Sequence, residues 1–314
     1  MNELARVAAM TLSIAAVERD TGLSKDTLRV WERRYGFPSP GRDGIGERAY
    51  TFDQVEKLRV IKRLMDAGHR PGRIVPLAFA ELQLLSLSTV DQTTRKLPVA
   101  LGSGDLAIYI SLLRRHQIAE LRTELGRSLS RHGVARFVTE VVGPLGMAVG
   151  DAWIRGQMEV FEEHMYTEVM QAVLRMAIAS IPEPAPGARP RILLTTFPGE
   201  PHGLGLLMAE AVFALEGACS VSLGVQTPLW DIVLASAAYR ADIVAISFSG
   251  SMNPNLVVDG LVELRHKLPA ATRLWAGGGA PVLHRRRVEG VEPMSSLEEV
   301  PAALQGLRAT MGWA

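Results

Sequence analysis

The chain has 314 residues, 47% of them apolar and 21% charged, with a net charge of +1 and a single cysteine. That composition excludes a disordered, collagenous or generally basic protein, and Cys219 alone excludes an internal disulfide or a cysteine-rich zinc site. No apolar run is long enough for a membrane span and no signal-peptide layout opens the chain, so a folded cytoplasmic protein of two or three domains is expected.

Residues 1–75 carry 14 basic against 10 acidic side chains, so local charge is uneven. "SIAAVERDTGL" and "SKDTLRVWERRYG" predict two helices joined by a tight glycine turn, with Ser24 as N-cap and Gly36 as C-cap of the second. Leu28, Trp31 and Val55 fall at core spacing. The second helix is basic, bearing Lys25, Thr27, Arg29, Arg33 and Arg34. Such a pair is the layout that places side chains in the major groove of DNA. "FPSPGRDGIGERAY" is too rich in Pro and Gly for helix and suits a wing carrying Arg42 and Arg48. Tyr50 then opens a further helix, "TFDQVEKLRVIKRLMDAG", with Thr51 as N-cap. Residues 85–98 read as a polar linker without heptads, which closes a first domain at residues 1–84.

Residues 99–181 show apolar spacings of three and four throughout, which predicts a bundle of about four helices. Four prolines in "PEPAPGARP" mark a second linker at 182–190. From there to residue 314, strand-like "RILLTTF", "SVSLGVQ", "DIVAISFSG", "RLWAGGG" and "GVEPM" alternate with helical segments. That pattern predicts a Rossmann-like, doubly wound parallel sheet. The fold class expected is therefore multidomain, α and α/β.

The first strand of the sheet leads into "GEPHGLG", which places His202 on a loop where open sheets bind ligands. The loop lacks G-x-G-x-x-G, and no Walker lysine follows. A metal held by one histidine would be weak unless it came inside a prosthetic group. Glu200, two residues earlier, can bond the imidazole and fix its tautomer. Ser247 and Ser249 end one later strand. Gly277, Gly278 and Gly279 end the next, where missing side chains admit a bulky ligand.

Three resemblances follow from these motifs. "TGLSKDTLRVWERRYG" and "GERAY" resemble the winged-helix domain of the MerR family of transcription regulators. That implies contacts to double-stranded operator DNA from Lys25, Thr27, Arg29, Arg33, Arg42, Arg48 and Tyr50. The E-x-H-x-x-G of Glu200, His202 and Gly205 resembles the D-x-H-x-x-G of cobalamin-binding domains. It implies His202 as the lower axial ligand of cobalt, with Gly205, Ser247, Ser249, Gly277 and Gly278 beside the nucleotide tail. "WIRGQMEVFEEH" resembles the W-x9-E-H signature of CarH/LitR-like regulators, which are cobalamin-dependent photoreceptors. It implies that Trp153, Val160, Glu163 and His164 cover the upper face of adenosylcobalamin, and helical spacing puts all four on one face.

Together these imply a light-responsive repressor, not an enzyme, that assembles on its cofactor as a homo-oligomer, dimer or tetramer. One departure stands out. Where such photoreceptors carry a histidine after the tryptophan, this chain has Ile154, which cannot ligate cobalt. His164 is the nearest substitute and His132 a distant one. A regulator sensing cobalamin or another ligand without light is the first alternative. A corrinoid methyl carrier serving a methyltransferase is the second, and the DNA-reading module argues against it.

Overall fold

In the computed structural model, residues 11–66, 68–94 and 103–313 are described. The chain forms two compact units. One runs to Leu97 and includes Asp151–Gln157; the other comprises Pro98–Gly150 and Met158–Ala314.

The N-terminal unit opens with β1 (Thr11–Ser13), α1 (Ile14–Thr21) and α2 (Lys25–Tyr35). Ser24 accepts a hydrogen bond from Thr27 N, and Gly36 takes φ 68 as the C-cap of α2, as the sequence predicts. The wing is β2 (Gly41–Arg42) and β3 (Arg48–Thr51), and β3 is central in the antiparallel order β1-β3-β2. Next come α3 (Phe52–Asp66), α4 (Pro71–Ile74) and α5 (Phe79–Thr94). Val17, Leu28, Trp31, Tyr50, Val55, Leu58 and Ile61 form one buried core.

Two expectations are corrected here. Tyr50 does not open a helix: it pairs with Leu12 inside β3 and is fully buried, while Thr51 ends that strand and directly precedes α3, in the N-cap position. The supposed linker is helical as far as Thr94. No Pro or Gly interrupts 79–94, Leu82 enters the core, and Ser86 returns its hydroxyl to Leu82 O at 2.9 Å, so a polar residue costs the helix little.

The C-terminal unit begins with α6 (Ser103–Arg114) and α7 (Ile118–Arg136). A π-helical segment (Phe137–Val142) leads into α8 (Gly143–Ile154), and α9 (Val160–Ala179) follows. Phe137, Val138, Val141, Leu145, Tyr166, Val169 and Leu174 are buried among these helices. The sheet that follows comprises β4 (Arg191–Thr195), β5 (Cys219–Ser222), β6 (Ile243–Phe248), β7 (Arg273–Gly278) and β8 (Val291–Met294). Its helices are α10 (Leu204–Leu215), α11 (Leu229–Ala238), α12 (Pro254–Lys267), α13 (Val282–Arg285) and α14 (Val300–Met311).

All pairings are parallel, in the order β5-β4-β6-β7-β8. The chain therefore moves outward once, to β5, and then reverses. Right-handed crossovers place α10 on one face and α11, α12 and α13 on the other. The second face packs Ile232, Val257, Leu261, Val282 and Leu283 onto Leu193, Val244, Ile246 and Leu274. The reversal opens a crevice between the carboxyl ends of β4 and β6, the place where sheets of this order bind ligands.

Candidate functional site

The loop after β4 and the loop after β6 meet across that crevice. Glu200, 1% exposed, accepts from Ser249 N at 2.7 Å and Ser249 Oγ at 2.8 Å, a link spanning 49 residues of chain. Its other oxygen accepts from His202 N at 3.1 Å and from His202 Nδ1 at 2.6 Å. Burial alone would raise the Glu200 carboxyl, but the hydrogen bonds from His202 and Ser249 outweigh it and hold the group below its ordinary value. An ionised Glu200 can only accept, so Nδ1 carries the proton of this bond, and in the neutral imidazole the lone pair falls to Nε2. The ring itself is 56% exposed. The loop presents a histidine of fixed tautomer and orientation, the state in which imidazole ligates a metal.

Two buried threonines that the sequence did not mark brace this loop. Thr196 donates to Glu200 O at 2.7 Å and accepts from Gln226 N at 2.8 Å. Thr195 donates to Gly224 O at 2.9 Å. Thr195 ends β4 and Thr196 follows it in the same buried run, where a hydroxyl reads as one more strand residue.

The remaining candidates divide. A Cβ on Gly205 would stand 3.0 Å from Ser247 Oγ, so a larger residue in the first turn of α10 would require the Ser247 hydroxyl at the end of β6 to give way. Gly278 has φ 105, and a Cβ there would lie 2.2 Å from Phe248 O; its lack of a side chain is already demanded by the packing of β7 on β6. Gly277 makes only ordinary contact with Met294.

Trp153 and the residues expected beside it are not on one helical face. Trp153 lies near the end of α8, a turn through Gly156 (φ 67) intervenes, and α9 restarts at Val160. The periodicity argument assumed one continuous helix. On α9, Glu163 accepts from His164 Nδ1 and from Thr167 Oγ1, both at 2.8 Å. Val160 and His164 are exposed. His132, on α7, is held by Nδ1 to Ser128 O at 2.9 Å. Trp153 belongs to the N-terminal unit, where Arg63, another residue the sequence did not mark, donates from Nη1 to its carbonyl at 2.8 Å.

On α2, Arg29 and Arg33 are exposed, Arg29 pairing with Asp26 at 3.1 Å. Lys25 lies 3.5 Å from Glu18. The wing spends its arginines internally: Arg48 pairs with Glu32 at 2.8 Å, and Arg42 donates to Gly46 O at 2.9 Å. Tyr50, in the core, is not presented to a duplex.

Among the described residues no cluster of three or more His, Cys, Asp or Glu could hold a metal ion, and no helix is long and apolar enough to cross a membrane. A single positioned imidazole fits a metal that arrives already ligated by a macrocycle, as cobalt does in a corrin.

Comparison with known proteins gives the same parts. Residues 12–77 match the MerR HTH family regulatory proteins, and residues 109–178 match the B12 binding domain. The HTH-type transcriptional repressor CarH of Myxococcus xanthus is 29% identical over 288 residues, 89% of this chain and 92% of CarH. The repressor CarA of the same organism is 30% identical over 246 residues, covering 78% of this chain and 79% of CarA. The monomethylamine corrinoid protein of Methanosarcina barkeri superposes with a TM-score of 0.51 over 63% of this chain and 96% of its own. At 16% identity, that likeness shows the fold alone.

Proposed function

The chain belongs to the MerR-type, cobalamin-binding transcriptional regulators that include CarA and CarH, and from that premise we propose a repressor governed by adenosylcobalamin and light. The observation that carries this reading is the closed network of Glu200, His202 and Ser249 at the sheet's switch point.

Bound there, the cofactor supplies cobalt open to an imidazole and, in the adenosyl form, a light-sensitive cobalt–carbon bond. His202 offers Nε2 as the lower ligand while Glu200 keeps the proton on Nδ1. Gly205, Ser247, Ser249, Gly277 and Gly278 line the place of the nucleotide tail. Trp153, Val160, Glu163 and His164 are assigned to the upper face. In the dark the chain assembles as a dimer or tetramer and presents several α2 helices at once. Effective concentration then tightens its hold on operator DNA without any new contact. Lys25, Thr27, Arg29 and Arg33 face that DNA, with Arg42 on the wing. Trp153 and Val160 would pack against the adenosyl group, and its loss in light would remove that contact and release the assembly.

Ile154 supports a second reading, in which cobalamin is sensed without light, because an aliphatic side chain cannot trap the photolysed state. Size-exclusion with absorbance detection separates the two. The protein is run alone, with adenosylcobalamin in the dark, and after green light. The expected result is assembly in the dark and its reversal by light. Assembly that ignores light selects the second reading, and no uptake of cobalamin overturns both.

A further inference from the structure

The turn from α6 to α7 carries a residue that its backbone does not favour. His116 stands at φ 56, in the left-handed region where a β-carbon is crowded and glycine is the usual occupant. The turn is a Schellman cap, in which Gln117 N donates to Leu112 O and His116 N to Leu113 O, both at 2.9 Å. Glycine would close that cap at lower cost, so the backbone gives no reason for an imidazole. The side chain does. Its Nε2 donates to Glu162 Oε1 at 3.2 Å, and its ring centroid lies 5.2 Å from that of Phe161. Glu162 is 8% exposed, and its other oxygen accepts from Glu159 N at 2.7 Å, which closes the first turn of α9.

The capping bond sets where α9 begins, and the bond to His116 ties that beginning to another element of the same unit. Val160, Glu163 and His164, assigned above to the upper face of the cofactor, lie in or next to that first turn. We propose that His116 is a positioning residue for the adenosyl group. Through Glu162 it holds the first turn of α9 against the α6–α7 turn, and so makes the site prefer a cobalamin with a bulky upper ligand. This rests on the assignment of Val160, Glu163 and His164 made above. An adenosyl group projects far enough from cobalt to meet such a turn and a methyl group does not. A loosened turn therefore costs the first and spares the second, which is a difference in affinity and not a general loss. The imidazole is half exposed, so the bond is of moderate strength. Its weight comes from Glu162, whose buried carboxylate loses a donor when His116 is removed.

The test is a dark absorbance titration of the full chain with adenosylcobalamin and, separately, with methylcobalamin. His116→Gly suits the left-handed turn and removes the donor. It is expected to raise the Kd for adenosylcobalamin by about 3- to 10-fold and to leave that for methylcobalamin within about twofold. His116→Gln places an amide N–H at nearly the reach of Nε2, and should return the adenosylcobalamin Kd to within about twofold of wild type. If the glycine variant does not fold, His116→Asn takes its place, because asparagine tolerates the turn but falls short of Glu162. Equal weakening for both cobalamins, no change for either, or no rescue by glutamine overturns the inference while leaving the cofactor assignment intact. A wild-type chain that takes up no cobalamin overturns both.

Discussion

The two segments given opposite faces of the cofactor are held in opposite ways. The loop of His202 is fastened within its own unit, by a buried carboxylate whose oxygens are all engaged and by threonines beneath it. The turn carrying Trp153 is fastened to the N-terminal unit through Arg63. His202 is preorganised, and its orientation costs little when a ligand arrives. Trp153 is held by Arg63, through both its carbonyl and its ring.

Removing the fixed side should have the largest effect. His202→Ala is expected to weaken cobalamin binding by at least about 100-fold and to abolish the base-on absorbance spectrum, with the fold retained by circular dichroism. An unaltered spectrum would move the lower ligand to another residue.

Glu200→Gln comes next. The amide preserves shape but cannot serve two donors at each oxygen, and the expected loss in cobalamin affinity is about 10- to 100-fold. The same residue gives a pH signature. Its carboxyl lies below its ordinary value of 4.5 in the folded state, so its stabilisation is present above 4.5 and is lost as pH falls through the lower folded value. Wild-type protein should lose stability in that acid window, read by thermal melting at stepped pH. The Gln variant should start less stable and show a shallower acid dependence there. Equal acid slopes for the two proteins would remove Glu200 as the linkage.

On the DNA-binding unit the contrast is between arginines directed outward and arginines used internally. Arg33 is exposed on α2, whereas Arg48 spends both sides of its guanidinium on Glu32. Arg33→Ala should weaken binding to a duplex selected from a random pool and flatten the logarithmic salt dependence by about 1. Arg48→Ala should act mainly on wing stability and leave that slope nearly unchanged. If Arg48→Ala flattens the slope as much as Arg33→Ala does, Arg48 leaves Glu32 to reach phosphate.

The difference between the two regions also explains what could be read in advance. α2 is bounded by Ser24 and Gly36, residues whose side-chain chemistry and backbone freedom act within one turn, so its ends were visible in the sequence. The strands of the sheet were equally visible as short apolar runs between helical ones. The order β5-β4-β6-β7-β8 and the 49-residue link from Glu200 to Ser249 were not, because strand neighbours are chosen by tertiary packing. His202 was legible through its spacing to Glu200 and Gly205. Arg63 was invisible for the opposite reason: its partner lies 90 residues away, and nothing local distinguishes it from other basic residues on a helix. Trp153 was singled out from a motif, but helical periodicity was carried across a turn at Gly156 that only the backbone reveals.

The smallest effect expected is also the one that decides whether Tyr50 is core or contact. Its ring is fully buried between β1 and the helices, and its hydroxyl has no hydrogen-bond partner among the described residues. Burial pushes that hydroxyl's pKa up, the shift expected of a phenol with little solvent to receive its charge. Deleting a buried, unpartnered hydroxyl removes a desolvated group without opening a cavity. Tyr50→Phe should therefore leave stability unchanged or raise it by up to about 1 kcal/mol. DNA affinity should stay within about twofold of wild type, since a group that never meets the duplex cannot change the exchange of phosphate for counterions. Tenfold weaker binding with an undiminished melting temperature would instead mean that β3 opens to deliver the phenol to DNA. The wing would then be the mobile part of the N-terminal unit.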